Sequence, residues 1–226
     1  YIRGLRYPVI FQRIATTKFT KDVDELRTYD MDIRQVLSDN AIKDMLAEED
    51  GKFLAACNAC MGTRDSGGSN ETGVALWNAN SGAITRTNLA EARKVMPSTA
   101  SHLEASTALI NNISIKEIEK WQRDQVGGDL AEDILINGFS ERTFMGMKWI
   151  VTIKTDLVAN GTIFFFAEPK FLGKNFLLED TTMYIDRRYY MLEFFAYESI
   201  GMAIGNVAAV TRTDFASTYS AGSYIV

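Results

Sequence analysis

The sequence predicts an α+β fold, and three observations support that prediction. Residues 8–31 contain two short runs rich in β-branched and aromatic side chains, which are typical of strands. Residues 32–61 then carry apolar side chains at helical spacing. Between residues 146 and 215, apolar runs of strand length are separated by turn residues. Strands are therefore expected on both sides of a long helix.

Composition and charge argue against several classes of protein. The chain has 226 residues, a hydrophobic fraction of 46% and a net charge of −5, which suits one or two globular domains with a sizeable core. The acidic balance argues against a dedicated nucleic-acid grip, which usually shows clustered Lys and Arg. No apolar run approaches the roughly 18 residues needed to cross a bilayer, so no membrane role is expected. Because the first residue is Tyr1 rather than methionine, we expect native sequence to precede it.

The first predicted element is an extended hairpin arm. Pro8 to Phe19 is predicted to form a strand, Thr20 to Asp24 a turn, and Glu25 to Met31 a partner strand. An isolated hairpin is at best marginally stable in water. The arm therefore needs a surface to lie on, either a neighbouring subunit or its own domain.

A long helix is predicted after the arm. Asp32 is a suitable N-cap, and about 1.5 Å of rise per residue makes a helix ending near Met61 roughly 40 Å long. Gly51 is expected to weaken or kink it. The apolar stripe consists of Ile33, Val36, Leu37, Ala41, Met45, Leu46, Phe53, Leu54, Cys57, Cys60 and Met61.

The middle of the chain is predicted to hold a loop and two shorter helices. Gly62 to Asn80 is rich in glycine and serine, as loops are. Asn88 is expected to cap a helix from Leu89 to Met96. Ser114 to Glu117 forms a capping box that opens a second helix, which ends near Gly127. The apolar run between these helices, residues 103–112, fits either a strand or a helix.

The last third of the chain is predicted to be mainly strands. Residues 146–154 and 162–167 form the first two, and an irregular stretch follows. A strand beginning at Tyr189 leads into a bend of small residues at 200–206. Residues 207–213 supply the final strand.

No residue pattern points to catalysis or to a bound cofactor or metal. Cys57 and Cys60 have the spacing of a metal or redox pair, but a second Cys or His pair for zinc is missing. They fall late on an apolar helix stripe, whereas redox thiols normally lie at a helix start. His102 is the only histidine, and no nucleophile motif accompanies it. We therefore expect packing roles for the cysteines and no enzymatic activity, and the two thiols indicate a reducing cytoplasm.

The order of elements resembles the major capsid proteins of tailed bacteriophages, which have the Hong-Kong-97-type fold. The resemblance rests mainly on residues 146–215, where a strand, a turn near Gly161 and a second strand precede a small-residue bend and a final strand beginning Asn206-Val-Ala-Ala-Val. It implies an N-terminal arm and an extended hairpin loop at 1–31, and a peripheral domain with a spine helix at 32–100. It further implies an apical α/β domain at 101–203, and a return to the peripheral domain with a C-terminal tail at 204–226.

The resemblance also implies a function. The subunit would assemble with itself into hexamers and pentamers of an icosahedral head that encloses double-stranded DNA without binding it specifically. Portal, scaffolding and decoration proteins would be its other partners. The protein would be made in the host cytoplasm and end in the virion. Exposed charges on the arm and beside Tyr189 are the assembly-interface candidates: Lys18, Lys21, Asp22, Asp24, Arg27, Arg187 and Arg188.

Two other functions remain open from the sequence. An encapsulin-type nanocompartment shell shares the fold and encloses an enzyme cargo instead of DNA. A small α/β enzyme or ligand-binding domain is the alternative from a different class. The size and contents of a particle, or its absence, distinguish the three.

Overall fold

The chain divides into two compact units in the computed structural model. The structure describes residues 8–16, 18–28, 33–61, 76–79, 82–99, 101–121 and 143–216. Unit 1 comprises the described residues within Tyr1–Ala56 and Lys174–Ala203, and unit 2 those within Cys57–Gly173 and Ile204–Val226. This division differs from the predicted domain boundaries, because residues 174–203 group with the N-terminal segment. The names peripheral and apical remain predictions.

The described chain contains both helices and strands, in agreement with the predicted α+β class. The strands are β1 (Gln12–Ala15), β2 (Phe19–Asp22), β3 (Leu76–Ala79), β4 (Thr107–Asn111), β5 (Thr143–Phe144), β6 (Met147–Thr152), β7 (Thr162–Phe166), β8 (Gly173–Arg188), β9 (Met191–Ile204) and β10 (Val210–Asp214). The helices are α1 (Val23–Thr28), α2 (Ile33–Cys60), α3 (Arg86–Lys94), α4 (Asn112–Glu119) and α5 (Pro169–Leu172), with a 3₁₀ turn at Val207–Ala209. None of these helices is long and apolar enough to cross a bilayer.

Unit 1 contains a four-stranded sheet built on β9. β1 and β2 both run antiparallel to β9. Ala15 lies opposite Tyr197 and Phe19 lies opposite Phe194, so the register of pairing with β9 shifts by one residue from β1 to β2. The two segments therefore form one interrupted strand along one edge of β9. β8 pairs with β9 as the other arm of a long hairpin.

The predicted hairpin within residues 8–31 is wrong in its pairing and in its second strand. β1 and β2 hydrogen-bond to β9 rather than to each other, because the β9 edge offers partners for their backbone groups. Val23–Thr28, which begins inside the predicted turn and runs into the predicted return strand, is helical. The Asp22 carboxylate accepts the N–H of Asp24 at 3.0 Å and so supports the start of α1.

The predicted long helix is confirmed as α2, which continues through Gly51 and has 28 residues. Its predicted cap, Asp32, lies outside the described residues. Within unit 1, Met45 of α2 packs in a cluster with Ile14, Ala196 and Ile200 of the sheet. The buried stripe is narrower than predicted, because Val36 and Leu46 are exposed.

Unit 2 contains a six-stranded mixed sheet in the order β3-β10-β7-β4-β6-β5. β3 pairs parallel to β10, and β4 pairs parallel to β6. The predicted loop at 62–80 is therefore wrong for residues 76–79, which form β3 and pair with β10 about 135 residues later in the chain. Buried side chains of α3, α4 and the sheet, among them Leu89, Ile115, Trp149 and Phe165, form the core.

Two helix starts in unit 2 differ from the predicted ones by a few residues. Thr85, not Asn88, caps α3, and its hydroxyl accepts the N–H of Asn88 at 3.3 Å. Asn111 caps α4, because its side chain accepts the N–H of Ser114 at 2.7 Å. The Ser114 hydroxyl instead accepts the N–H of Gly161 at 2.8 Å. The predicted end of this helix near Gly127 lies outside the described residues.

The late strands are confirmed as β6, β7 and β10, but two predictions between them are wrong. The stretch predicted as irregular, residues 173–188, is the 16-residue strand β8. The predicted bend beginning at residue 200 is absent, since β9 continues to Ile204. The close packing in this part of β9 favours glycine at position 201. A Cβ atom there would lie 2.9 Å from the side chain of Val9 and 3.1 Å from that of Phe11.

Candidate assembly interface

The turn that joins β8 and β9 is strongly exposed. Tyr189 and Tyr190 form this turn and are 88% and 74% exposed. Tyr189 has a positive φ of 55°, so the backbone of the turn adopts the left-handed conformation. We call this turn and the segments beside it, residues 186–193 and 18–25, the hairpin end.

Strand pairing brings the two groups of predicted interface residues together at the hairpin end. Asp22 lies opposite Met191 in the sheet, and the N–H of Val23 donates to the carbonyl of Tyr190 at 2.8 Å. Lys18, Lys21, Asp22 and Asp24 therefore lie beside Arg187 and Arg188, although more than 160 residues separate them in sequence. Arg27 lies further along α1.

The charges at the hairpin end are paired in exposed, loose contacts. The Nζ atom of Lys18 lies 3.5 Å from an oxygen of Glu193, and Nε of Arg188 lies 3.5 Å from Asp186 and 4.0 Å from Glu193. Lys21 pairs with Glu25 at 3.2 Å. Exposed ion pairs contribute only about 0–1 kcal/mol each. Re-pairing these charges with another molecule would therefore cost little.

An aromatic cluster lies on the same sheet, between β8 and β9. The rings of Tyr184 and Tyr197 stack at 5.4 Å, and Phe195 stacks with Tyr184 at 5.4 Å. The guanidinium of Arg13 lies 4.9 Å from the Tyr197 ring centre, and the ammonium of Lys18 lies 5.7 Å from that of Phe195. These cation–π contacts tie the N-terminal strands to β9.

The hydroxyl of Tyr197 completes this cluster. It donates to a Glu179 oxygen at 2.8 Å and lies 3.2 Å from the hydroxyl of Tyr184. The hydrogen bond with Tyr184, followed by the one with Glu179, raises the pKa of Tyr197 well above its ordinary range. The hydroxyl therefore stays protonated and holds β9 to β8.

The outer edge of β8 is open to another molecule. Within the described part of the chain, β8 pairs only with β9, so no strand covers its other edge. Apolar side chains on β8 are exposed, with Leu178 at 66% and Ile185 at 59%. A long exposed apolar edge strand favours pairing with a further chain and promotes association.

The residues considered for chemistry do not come together. Cys57 is fully buried, and burial, followed by the charge of Cys60, raises the pKa of its thiol to about 12. His102 is exposed, with Nδ1 3.3 Å from the carbonyl of Pro97. Among the residues that the structure describes, no three Cys, His, Asp or Glu side chains cluster as a metal site requires.

Comparisons with solved structures identify the fold. No protein-family model matches the chain, and no curated protein matches it by sequence. The capsid of an empty GTA particle is similar with a TM-score of 0.70 and 16% identity, over 92% of this chain and 74% of that one. The cyanophage Pam1 capsid is similar with a TM-score of 0.69 and 9% identity, over 97% and 80%. The chain has the Hong-Kong-97-type capsid fold.

A third similar structure belongs to a virus-like particle. The virus-like particle from Pyrococcus furiosus matches with a TM-score of 0.59 and 16% identity, over 95% of this chain and 82% of that one. The capsid-type fold therefore covers nearly the whole of this chain in each comparison. This confirms the predicted family resemblance at the level of the fold.

Sequence reasoning found the charged residues of the hairpin end but missed two other surfaces of the same sheet. Neither the β8 edge nor the aromatic cluster was predicted. Phe195 and Tyr197 stand two residues apart, which is the spacing of one face of a strand. That alternation was the available signal, although it does not show which strand lies beside it.

Proposed function

We propose that the protein is a major capsid protein that assembles with itself into hexamers and pentamers of an icosahedral phage head enclosing double-stranded DNA. The observation that supports this most is the likeness of 92% or more of the chain to the GTA and Pam1 capsid chains. Portal, scaffolding and decoration proteins belong to the same proposal. So do synthesis in the host cytoplasm and the final location in the virion.

The surface of unit 1 suits a subunit that binds copies of itself. The hairpin end combines both signs of charge with exposed tyrosines, and aromatic and arginine side chains are enriched in protein interfaces. The open edge of β8 adds main-chain hydrogen-bonding groups. We propose that Lys18, Lys21, Asp22, Asp24, Arg27, Arg187 and Arg188 contribute to contacts between subunits.

The net charge fits enclosure of DNA better than a grip on it. At −5 the chain is acidic, and like charges repel over a Debye length of about 8 Å at physiological salt. We propose that part of this acidic surplus faces the inside of the shell. Packed DNA would then be held by the closed wall and not by specific contacts.

A nanocompartment shell of the encapsulin type is the second candidate. The likeness to the virus-like particle from Pyrococcus furiosus favours it. Both functions require a closed shell, and they differ in what the shell encloses. Nucleic-acid content, measured as the ratio of absorbance at the nucleic-acid and protein maxima of particles purified from the native source, separates the two.

Charge reversal at the hairpin end tests the assembly role. Full-length protein carrying Arg187→Glu and Arg188→Glu is compared with the unchanged protein by light scattering, sedimentation and electron microscopy. Lys94→Glu is the matched control, since Lys94 is an exposed helix residue in unit 2 with one ion pair to Glu91. We expect particles from the unchanged protein and from the control, and at least about tenfold fewer from the double variant, because a few kcal/mol of interface repulsion is multiplied over many contacts.

Circular dichroism of the double variant checks that its subunit is folded. Folded subunits that no longer assemble support the interface. Normal particle yield from the double variant would remove the hairpin end from the assembly contacts. Absence of particles from the unchanged protein under all salt and concentration conditions would contradict the shell function itself.

A further inference from the structure

Glu198 is a buried carboxylate in the middle of the unit 1 sheet. It lies on β9 opposite Ile14 of β1 and is 4% exposed. Its Oε2 atom accepts the hydroxyl of Thr181 at 2.9 Å. Its Oε1 atom is buried and has no hydrogen-bond donor among the described residues. A buried carboxylate oxygen without a donor is strongly unfavourable.

Glu49 on α2 lies one helical turn beyond Met45, which packs in a cluster with Ile200 of β9. Glu198 stands two residues before Ile200 and therefore on the same face of β9. The carboxyl group of Glu49 is close enough to Glu198 for a hydrogen bond between the two side chains. Two ionised carboxylates are both acceptors and cannot form that bond. A single proton on Glu49 would make its carboxyl group a hydrogen-bond donor to Glu198. It would also remove the repulsion between the two negative charges.

The electrostatic environment favours that proton. Burial is the largest cause that raises the pKa of Glu49, followed by the charge of Glu198, the hydrogen bond with it and the charge of Asp50. None of the ion pairs among the described residues joins a cation to Glu49 or Glu198.

The nearby cations are engaged elsewhere. On α2, Lys52 pairs with Glu48 at 3.5 Å and donates to Gln12 of β1 at 3.1 Å. On β1, the guanidinium of Arg13 lies over the ring of Tyr197 at 4.9 Å. On β8, Thr181 donates its hydroxyl to Glu198 and is preceded in sequence by the acidic residues Glu179 and Asp180.

We propose that Glu49 and Glu198 share one proton, and that this proton fastens α2 to the sheet and makes their packing sensitive to pH. The pair spans the two layers of unit 1. Deprotonation leaves the buried negative charge of Glu198 beside the partly exposed negative charge of Glu49, between the helix and β9. The apolar cluster around Met45 and Ile200 and the hydrogen bond from Lys52 to Gln12 then remain between the layers.

The direction of the pH effect follows from the raised pKa of Glu49. In the unfolded chain a glutamate titrates near about 4.3, and in the folded chain Glu49 keeps its proton to higher pH. The stabilisation is therefore complete below the unfolded value. It is lost as the pH rises through the folded value.

Glu49→Gln tests the shared proton, because the glutamine amide donates a hydrogen bond to Glu198 at every pH. The experiment measures urea unfolding of the full-length chain between about pH 4 and about pH 8. Glu48→Gln is the matched control, since it makes the same change one residue away on an exposed side chain. The compared quantity is the unfolding equilibrium constant of the unchanged protein divided by that of Glu49→Gln. This ratio should rise several-fold as the pH increases over this range.

The control should keep the pH dependence of the unchanged protein. A parallel dependence in Glu49→Gln and the unchanged protein would overturn the proposal. Glu198→Gln should also flatten the pH profile, because it too removes one of the two charges while keeping a donor.

A titration of the unchanged protein gives an answer that does not depend on how the variants fold. The side-chain carboxyl carbons of glutamate are followed by carbon-13 NMR, and the Glu49 signal is identified by its absence in Glu49→Gln. A midpoint above the ordinary glutamate range supports the shared proton, and an ordinary midpoint overturns it. The subunit's response to pH stands apart from the proposed shell function, since particle yield is measured separately by light scattering.

Discussion

Replacing Asn111 with alanine should destabilise unit 2 more than any other single polar substitution at a helix start. Asn111 is fully buried at the junction of β4 and α4. Its Oδ1 atom accepts the N–H of Ser114 at 2.7 Å. Its Nδ2 group donates to the carbonyl of Val158 at 3.1 Å and to Oδ1 of Asn160 at 2.7 Å. One side chain therefore caps a helix and holds the loop before β7.

The expected cost follows from these three hydrogen bonds. Loss of an N-cap costs about 1 kcal/mol, and a buried carbonyl left without a donor costs about 1–3 kcal/mol. Asn160 is partly exposed and can turn to water. The free energy of unfolding should therefore fall by roughly 2–4 kcal/mol. Asn111→Ser, which keeps a capping oxygen but loses the amide donor, should cost about 1 kcal/mol less.

Urea unfolding followed by tryptophan fluorescence measures this loss. Trp149 is buried in unit 2, and its indole N–H donates to the carbonyl of Phe144 at 3.1 Å, so its emission reports on that unit. The midpoint should fall by about 1–2 M. Asn88→Ala is the matched control, since Asn88 makes one exposed side-chain bond to the carbonyl of Ala83. Equal losses for the two variants would refute the reasoning.

Two further predictions concern cysteine reactivity and backbone strain. In native protein at about pH 8, iodoacetamide should modify Cys60 well before Cys57, because burial and a pKa of about 12 keep the Cys57 thiol protonated. Mass spectrometry of the modified peptides checks this, and equal rates would contradict it. His102→Gly should raise the unfolding free energy by up to about 1 kcal/mol, because His102 is exposed and has a φ of 47°. Gly161→Ala, at a φ of 83°, should lower the unfolding free energy. A urea titration in which His102→Gly is less stable, or Gly161→Ala more stable, than the unchanged protein would refute the strain argument.

Helices and strands with a strong local pattern were predictable from the sequence. α2 was predicted because its apolar residues recur at helical spacing over 28 residues. β7 was predicted because five buried residues run together between a glycine turn and Pro169. Local periodicity and turn residues decide such elements, because neighbouring residues provide the evidence for them.

Elements that depend on a distant partner were not predictable. β8 is mostly exposed and has no clear alternation, so only its pairing with β9 makes it a strand. Residues 12–22 contain the expected strand residues, but their hydrogen bonds go to β9, about 180 residues later. A sequence pattern shows that a segment is suited to a sheet and does not show which edge it will occupy.

For the candidate interface, too, some features follow from the sequence and others from the tertiary structure. The sequence by itself determined which charged residues stand on the arm and before Tyr189, among them Lys18, Asp22 and Arg187. Only the tertiary structure decided that they share one end of a sheet, that the β8 edge is open within the described residues, and that Glu49 and Glu198 lie next to members of one apolar cluster. Charge and hydrophobicity are properties of each residue, whereas these juxtapositions arise from strand pairing and from the packing of α2 on β9, which join residues far apart in the chain.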